Sequence, residues 1–251
     1  MNPLTTPKPE VESDDRTIVR FLYNIISPPQ LKSTIILIYL TLALCAWKSL
    51  PVKPVLDGLN QEALPIFLWG SWKLCAAAVL FGFLPVFIIK FIFRESLADY
   101  GLQRGIFKRF CITAGIMTPI MIIIGYNSGS ITAFDSVYPL NPAAFWGVRW
   151  LALHSFLYAI LYYISYEFFF RGFLLRGLSD SCGLINALLI QACAATCFHF
   201  GHPGCELWGS FFGSLWWGFI AIRTNSIWSG WLQHAALGIA LEWSMFYVGG
   251  F

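Results

Sequence analysis

An all-α, polytopic membrane bundle is the fold class this sequence predicts, and three observations carry that prediction. Only 12% of the 251 residues are charged while 57% are hydrophobic, whereas a soluble domain carries about a quarter charged residues. Mean hydropathy is +0.66. Apolar runs of about the length needed to cross a bilayer recur over nearly the whole chain, separated by short polar stretches. So few charges cannot clothe a water-soluble surface, and one membrane domain over residues 31–251 is expected, preceded by a polar, Pro-containing cytosolic tail over residues 1–30.

The first span is expected at residues 33–50, closed by Pro51 and Pro54. The second covers 69–93. The third covers 110–126, with Pro119 bending rather than ending it. A linker bearing Gly, Ser and Asp fills 127–141, and a long apolar stretch over 145–175 forms the fourth. The fifth, sixth and seventh follow at 184–200, 207–222 and 227–248. The count is seven, or eight if the 145–175 stretch hides a break. Gly209 and Gly213 on the sixth are expected to let helices approach closely.

Charge placement orients these spans. Lys8, Arg16, Arg20 and Lys32 precede the first; Lys90, Arg94, Arg104, Lys108 and Arg109 lie at the facing ends of the second and third; Arg171 and Arg176 close the fourth, and Arg223 sits between the last two. Lys48, Lys53, Lys73 and Arg149 are all that lie near the opposite side. By the positive-inside pattern the N-terminus is cytosolic and, with seven spans, the C-terminus external. The acidic start, with Glu10, Glu12, Asp14 and Asp15, has no signal-peptide pattern, so the first span is expected to target the chain, to the plasma membrane of a prokaryote. The small net charge of +3 has no basic face or arm, which makes nucleic acid an unsuitable partner and the bilayer the expected one.

The seven cysteines form no CxxC pair and lie mostly in apolar segments, so they read as buried small hydrophobes rather than a disulfide framework. Aromatics at 18% read as interface anchors and packing.

Against this apolar background the ionisable residues of the last third stand out. A charge held among hydrocarbon groups is costly and marks a functional site by default. Glu167 lies in one of the most apolar stretches, and Arg171 four residues on shares its helical face, so the two can pair. At about 1.5 Å rise per residue, Glu167 lies roughly 16 Å, His199 roughly 22 Å and His234 roughly 13 Å from the cytosolic edge, and the three can converge from separate helices. His202, followed by Pro203 and Gly204, belongs at a helix end or in the outer loop. His154 reads as packing or pairing, Glu206 as a group closing the site from above, and Glu242 as reaching the outer interface.

A buried carboxylate can take a proton from water while imidazoles orient that water and stabilise a developing oxyanion, so peptide hydrolysis needs no cofactor here. By ligand type Glu167, His199 and His234 would also suit zinc. The chain has no HExxH, GxSxG, GxGxxG or P-loop pattern, which removes the main support for zincin, serine-hydrolase and nucleotide-binding readings.

Residues 166–172, Tyr-Glu-Phe-Phe-Phe-Arg-Gly, then the run from Phe198 to Pro203, then His234, resemble the CPBP family, the CAAX-protease and bacteriocin-processing group of intramembrane proteases. The family pattern is Glu-Glu-x-x-x-Arg, then Phe-x-x-x-His, then His-x-x-x-Asn or Asp, on separate transmembrane helices. The resemblance spans residues 163–241. It implies a helical membrane endopeptidase acting on a membrane-associated, prenylated or leader-bearing polypeptide. The second motif registers in two ways. Phe198 to His202 matches its spacing literally. The run His199-Phe200-Gly201-His202-Pro203 instead resembles a branch in which the first histidine is functional, with Ala195 at the usual phenylalanine position, a Tyr-Glu pair in the first motif and a glutamate after the proline, here Glu206. His199 ranks above His202.

Two positions depart from the pattern. Tyr166 occupies the first glutamate position, and Gly238 stands in place of the final Asn or Asp. In an active protein Glu167, or in second place Glu206, replaces the missing base, with His199 and His234 orienting water and Arg171 holding Glu167. In an inactive one the same fold serves as a membrane scaffold or regulator.

Overall fold

The structure, a computed structural model, describes residues 28–50 and 63–249. The tail, the prolines after the first span, and Lys8, Arg16, Arg20 and Lys53 lie outside the described residues. Seven helical rods account for nearly all of the described chain: α1 (Pro28–Ser49), α2 (residues 63–93), α3 (Phe107–Ser128), α4 (residues 148–182), α5 (Leu184–Phe198), α6 (Gly204–Thr224) and α7 (Trp228–Gly249). Three of them, over Gln30–Ser49, Leu64–Phe93 and Phe107–Ser128, meet both length and hydropathy requirements for crossing a bilayer. With the many large apolar side chains on the outer faces, Phe83, Phe91, Ile123 and Phe212 among them, this supports an integral-membrane bundle.

The long apolar stretch is a single rod. Residues 148–182 run without the break that an eighth span there would need, but two wide π-type segments, Tyr158–Tyr163 and Phe168–Leu174, flank the short α segment Ile164–Glu167. Such segments occur often at functional sites. Gly183, with φ of 80°, ends α4 in a conformation that costs a side-chain-bearing residue strain. The second span begins earlier than hydropathy suggests, at Ala63, and the third runs through Pro119 to Ser128. The linker is not structureless: short 3₁₀ turns form at Thr132–Ser136 and Pro142–Trp146, and buried Asn141 ties them to α2 by donating to the Phe67 carbonyl at 3.0 Å.

Around these elements a core of aromatics fills the middle: Phe81, Tyr158, Tyr162, Tyr166, Phe169, Phe170, Phe173 and Phe198 form one continuous cluster. α7 lies along α3, and α5 packs between α4 and α6. At one end the 94–106 loop meets the turn between α6 and α7, with Ile106 N–H donating to the Thr224 carbonyl at 2.7 Å and Arg109 to the Arg223 carbonyl at 2.8 Å. Arg176 donates to Asn225 there, and Lys32 pairs with Glu95 at 2.8 Å. Lys32, Arg109, Arg176 and Arg223 thus gather at one pole, and Lys48 sits at the other against the Phe200 carbonyl.

Two expectations need correction. Six of the seven cysteines are exposed and Cys182 is partly so, all of them free thiols; a small apolar residue meets no penalty facing lipid, so hydrophobicity alone does not send it inward. Gly209 and Gly213 do not bring helices together either. A methyl on Gly209 would meet open space and one on Gly213 only its own helix's Trp217, because both glycines border a cavity.

Candidate active site

That cavity, about 360 Å³, opens between α3, α4, α6 and α7 and is lined by some of the polar residues of the bundle's centre. Its polar wall is made by Tyr138, Tyr163, Tyr166, His199, Glu206 and His234. Its other wall, with Met121, Ile124, Ile131, Leu237 and Leu241, is apolar. Glu206 is the sole acidic residue among the described residues lining it.

Of the three residues expected to converge, Glu167 and His234 are in contact, and His199 shares the cavity wall with His234. Glu167 and His234 touch: Nδ1 of His234 donates to Oε1 of Glu167 at 2.8 Å. Arg171 Nε lies 3.3 Å from Oε2 of the same carboxylate, and both side chains are fully buried. Tyr166 stands between the two histidines, its ring edge-on to His234 at 5.0 Å and to His199 at 6.2 Å. Glu167 does not line the cavity; it sits behind His234, held by Arg171. Gly230 makes this possible, since a Cβ there would come 2.7 Å from Oε2 of Glu167.

Both cavity histidines have one ring nitrogen committed. His199 Nδ1 donates to the Ala195 carbonyl at 2.7 Å, an acceptor that requires an N–H on that nitrogen. With Glu167 ionised beside Arg171, the same logic protonates Nδ1 of His234. Each imidazole therefore presents Nε2 outward. Trp217 stacks on His234 at 4.1 Å and 18°, fixing the ring plane.

Glu206 enters from the first turn of α6. Its Oε1 accepts the Tyr138 hydroxyl at 2.6 Å, lies 3.0 Å from Nδ1 of His202 and 3.7 Å from Nε2 of His199, and its Oε2 is buried with no hydrogen-bond partner. His202 lies in the turn between α5 and α6 and faces a second cavity beyond Tyr138 rather than the one His234 lines. By ligand geometry, Glu167, His199 and His234 are not a converging set; among the described residues the group whose ligand atoms fall within 4.8 Å of each other is His199, His202 and Glu206.

Sequence reasoning missed three contributors. Tyr163 is four residues before Glu167 and on its face, a usable signal. Its hydroxyl occupies the space that a side chain on Gly238 would need, and its ring lies 4.8 Å from His234. Trp217 and Tyr138 carried no signal that would separate them from packing aromatics. Glu242 does not reach the interface: it pairs with His154 at 3.1 Å, both fully buried, away from the cavity.

Residues 148–240 match the family model of the type II CAAX prenyl endopeptidase Rce1-like proteins. The match covers α4 to most of α7 and bears out the CPBP resemblance carried by the three motifs. No curated protein and no solved structure matches the chain.

Proposed function

We propose that this protein is a CAAX-type intramembrane endopeptidase whose water is activated by Glu206 rather than by Glu167. One observation carries the reading: each carboxylate near the motif histidines keeps one oxygen free of hydrogen bonds, but Glu206 lines the cavity, while Glu167 lies behind His234 with its charge taken up by Arg171. The Rce1-like match over residues 148–240 supports protease chemistry in general.

The step runs as follows. A water between Glu206 and Nε2 of His199, two acceptors 3.7 Å apart, donates a hydrogen to each and keeps a lone pair for attack. Glu206 takes one proton as hydroxide adds to the scissile carbonyl carbon. The Tyr163 hydroxyl, standing where residue 238 has no side chain, donates to the oxyanion. His234, oriented by Glu167, accepts the scissile N–H through Nε2. Collapse of the tetrahedral intermediate breaks the C–N bond, and Glu206 delivers its proton to the leaving nitrogen. The products are a carboxylic acid and an amine.

The substrate is a membrane-associated polypeptide, lying with apolar groups against Met121, Ile124, Leu237 and Leu241 and its scissile bond at the polar wall. A cytosolic N-terminus fits the gathering of basic side chains at one pole. Digestion of a library of membrane-anchored peptides by protein in lipid nanodiscs, with products read by mass spectrometry in H₂¹⁸O, tests the reading. A single ¹⁸O in the new carboxyl group is expected. Absence of any cleaved peptide, with specific capture of an uncut one, would favour a scaffold of the same fold.

A further inference from the structure

His202 has no part in the hydrolysis just described, yet its Nδ1 is buried with no hydrogen-bond partner and lies 3.0 Å from Oε1 of Glu206, on the side of a second cavity. Across the same carboxylate lies Nε2 of His199, which carries a lone pair because Nδ1 holds the proton. An imidazole lone pair and a carboxylate oxygen facing each other at 3.7 Å do not bond to each other; a shared cation would be attracted to both.

We propose that His199, His202 and Glu206 form a reversible three-ligand site for zinc that silences the peptidase by withdrawing Glu206 from acid–base work. This rests on the reading that Glu206 is the base. Zinc bonds of about 2.0–2.1 Å in a tetrahedron put neighbouring ligand atoms about 3.3 Å apart. The two measured edges, 3.0 Å from His202 and 3.7 Å from His199 to Oε1 of Glu206, bracket that value. All three ligand atoms lie within 4.8 Å of each other, a spacing that side-chain rotation can close onto one ion. Two imidazoles and one carboxylate match zinc's preferences, with the fourth position open to the cavity.

The effect on hydrolysis follows from what is left over. A zinc peptidase with two histidines and a glutamate as ligands needs a further carboxylate, off the metal, as general base. Glu206 is the sole acid on the cavity wall among the described residues, and Glu167 is engaged by Arg171 and His234. Once Glu206 binds metal, no base remains. Lys48, near Glu206 and tethered to the Phe200 carbonyl, opposes the cation and keeps binding reversible.

Zinc titration of the chelator-treated protein in nanodiscs, with Cys205 replaced by serine to remove the neighbouring thiol, tests the site by calorimetry and metal analysis. One zinc per chain is expected, with the absorption of a tetrahedral complex when cobalt(II) is substituted. Cleavage should fall in proportion to occupancy and return with a chelator. His202→Ala should weaken zinc binding at least tenfold and shift the inhibition midpoint equally, and Lys48→Gln should tighten it. No single-site binding in the wild-type chain, or cleavage that rises with zinc, overturns the proposal. Stoichiometric zinc in a chain that cleaves nothing at any zinc concentration overturns the inhibitory role and the peptidase reading, and absent zinc with Glu206-dependent cleavage overturns the site alone.

Discussion

His234 and Glu167 are joined by a 2.8 Å hydrogen bond from Nδ1, so in the function proposed above the glutamate that sequence reasoning places first as base serves to orient a histidine. The carboxylate also faces Arg171 at 3.3 Å, with both groups fully buried. Removing one partner of such a pair leaves an uncompensated charge among apolar groups.

Glu167→Gln is therefore expected to lose stability, by about 3–5 kcal/mol if Arg171 stays charged. Glu167→Gln with Arg171→Met should recover most of that loss. Thermal unfolding in a fixed detergent checks both. Equal melting of the single variant and the wild type would mean that the pair holds nothing.

Gly238 and Tyr163 make a steric prediction. A methyl at 238 collides with the Tyr163 hydroxyl, and the ring carbon bearing it is only 2.8 Å from that methyl. Gly238→Ala should destabilise by about 1–3 kcal/mol, the usual range for overpacking. Tyr163→Phe should keep the fold and reduce kcat by about 10²-fold or more, as for loss of an oxyanion donor. Gly238→Ala combined with Tyr163→Phe, which removes the colliding hydroxyl and keeps the ring, should regain part of the stability without regaining rate, which separates the two roles.

His154 and Glu242, paired at 3.1 Å and fully buried, lie outside the cavity. Glu242→Ala is expected to cost about 3–5 kcal/mol, while His154→Leu with Glu242→Leu should be near neutral, because replacing a whole buried pair by apolar groups removes its desolvation cost as well. A double-mutant cycle on melting curves measures the coupling. Purely additive effects would show that the two side chains act independently.

At the basic pole, Glu95 gives a pH dependence. Burial raises its pKa, but hydrogen bonds from Lys32 and Tyr100 and the Lys32 charge outweigh it and hold the carboxyl below its ordinary 4.5. A folded pKa below the unfolded one means that the contribution is full above about the ordinary value and is lost as pH falls through the folded one. With Glu95 partly exposed the effect is small, under about 1 kcal/mol. Glu95→Gln should flatten the acid limb of stability as pH falls below the ordinary carboxylate value; an unchanged limb would assign the dependence elsewhere.

Much of the fold is legible because hydropathy measures what lipid demands. The runs at α1, α2 and α3 are nearly all apolar, and each is a helix within a few residues of the expected bounds. The meeting of Glu167 with His234 is compatible with 1.5 Å per residue applied to two helices entering from the same side. Which carboxylate faces the cavity does not follow, because it depends on rotation within α4, where the π segments at Tyr158–Tyr163 and Phe168–Leu174 change the angle per residue. Nor could spacing show that Gly238 is empty because Tyr163 fills its space. Cysteine placement failed for a related reason: in a membrane both faces of a helix are apolar, and composition no longer separates inside from outside.

The central claim is that Glu206 activates the water. The most direct measurement is single-turnover cleavage of one identified peptide by Glu206→Gln and Glu167→Gln in nanodiscs, each scored against its own folded fraction. The geometry predicts a loss of at least about 10³-fold for Glu206→Gln with an unchanged melting point, the scale on which a general base acts, and for Glu167→Gln a smaller loss per folded molecule. Wild-type rates in Glu206→Gln, with cleavage abolished in fully folded Glu167→Gln, would contradict the assignment.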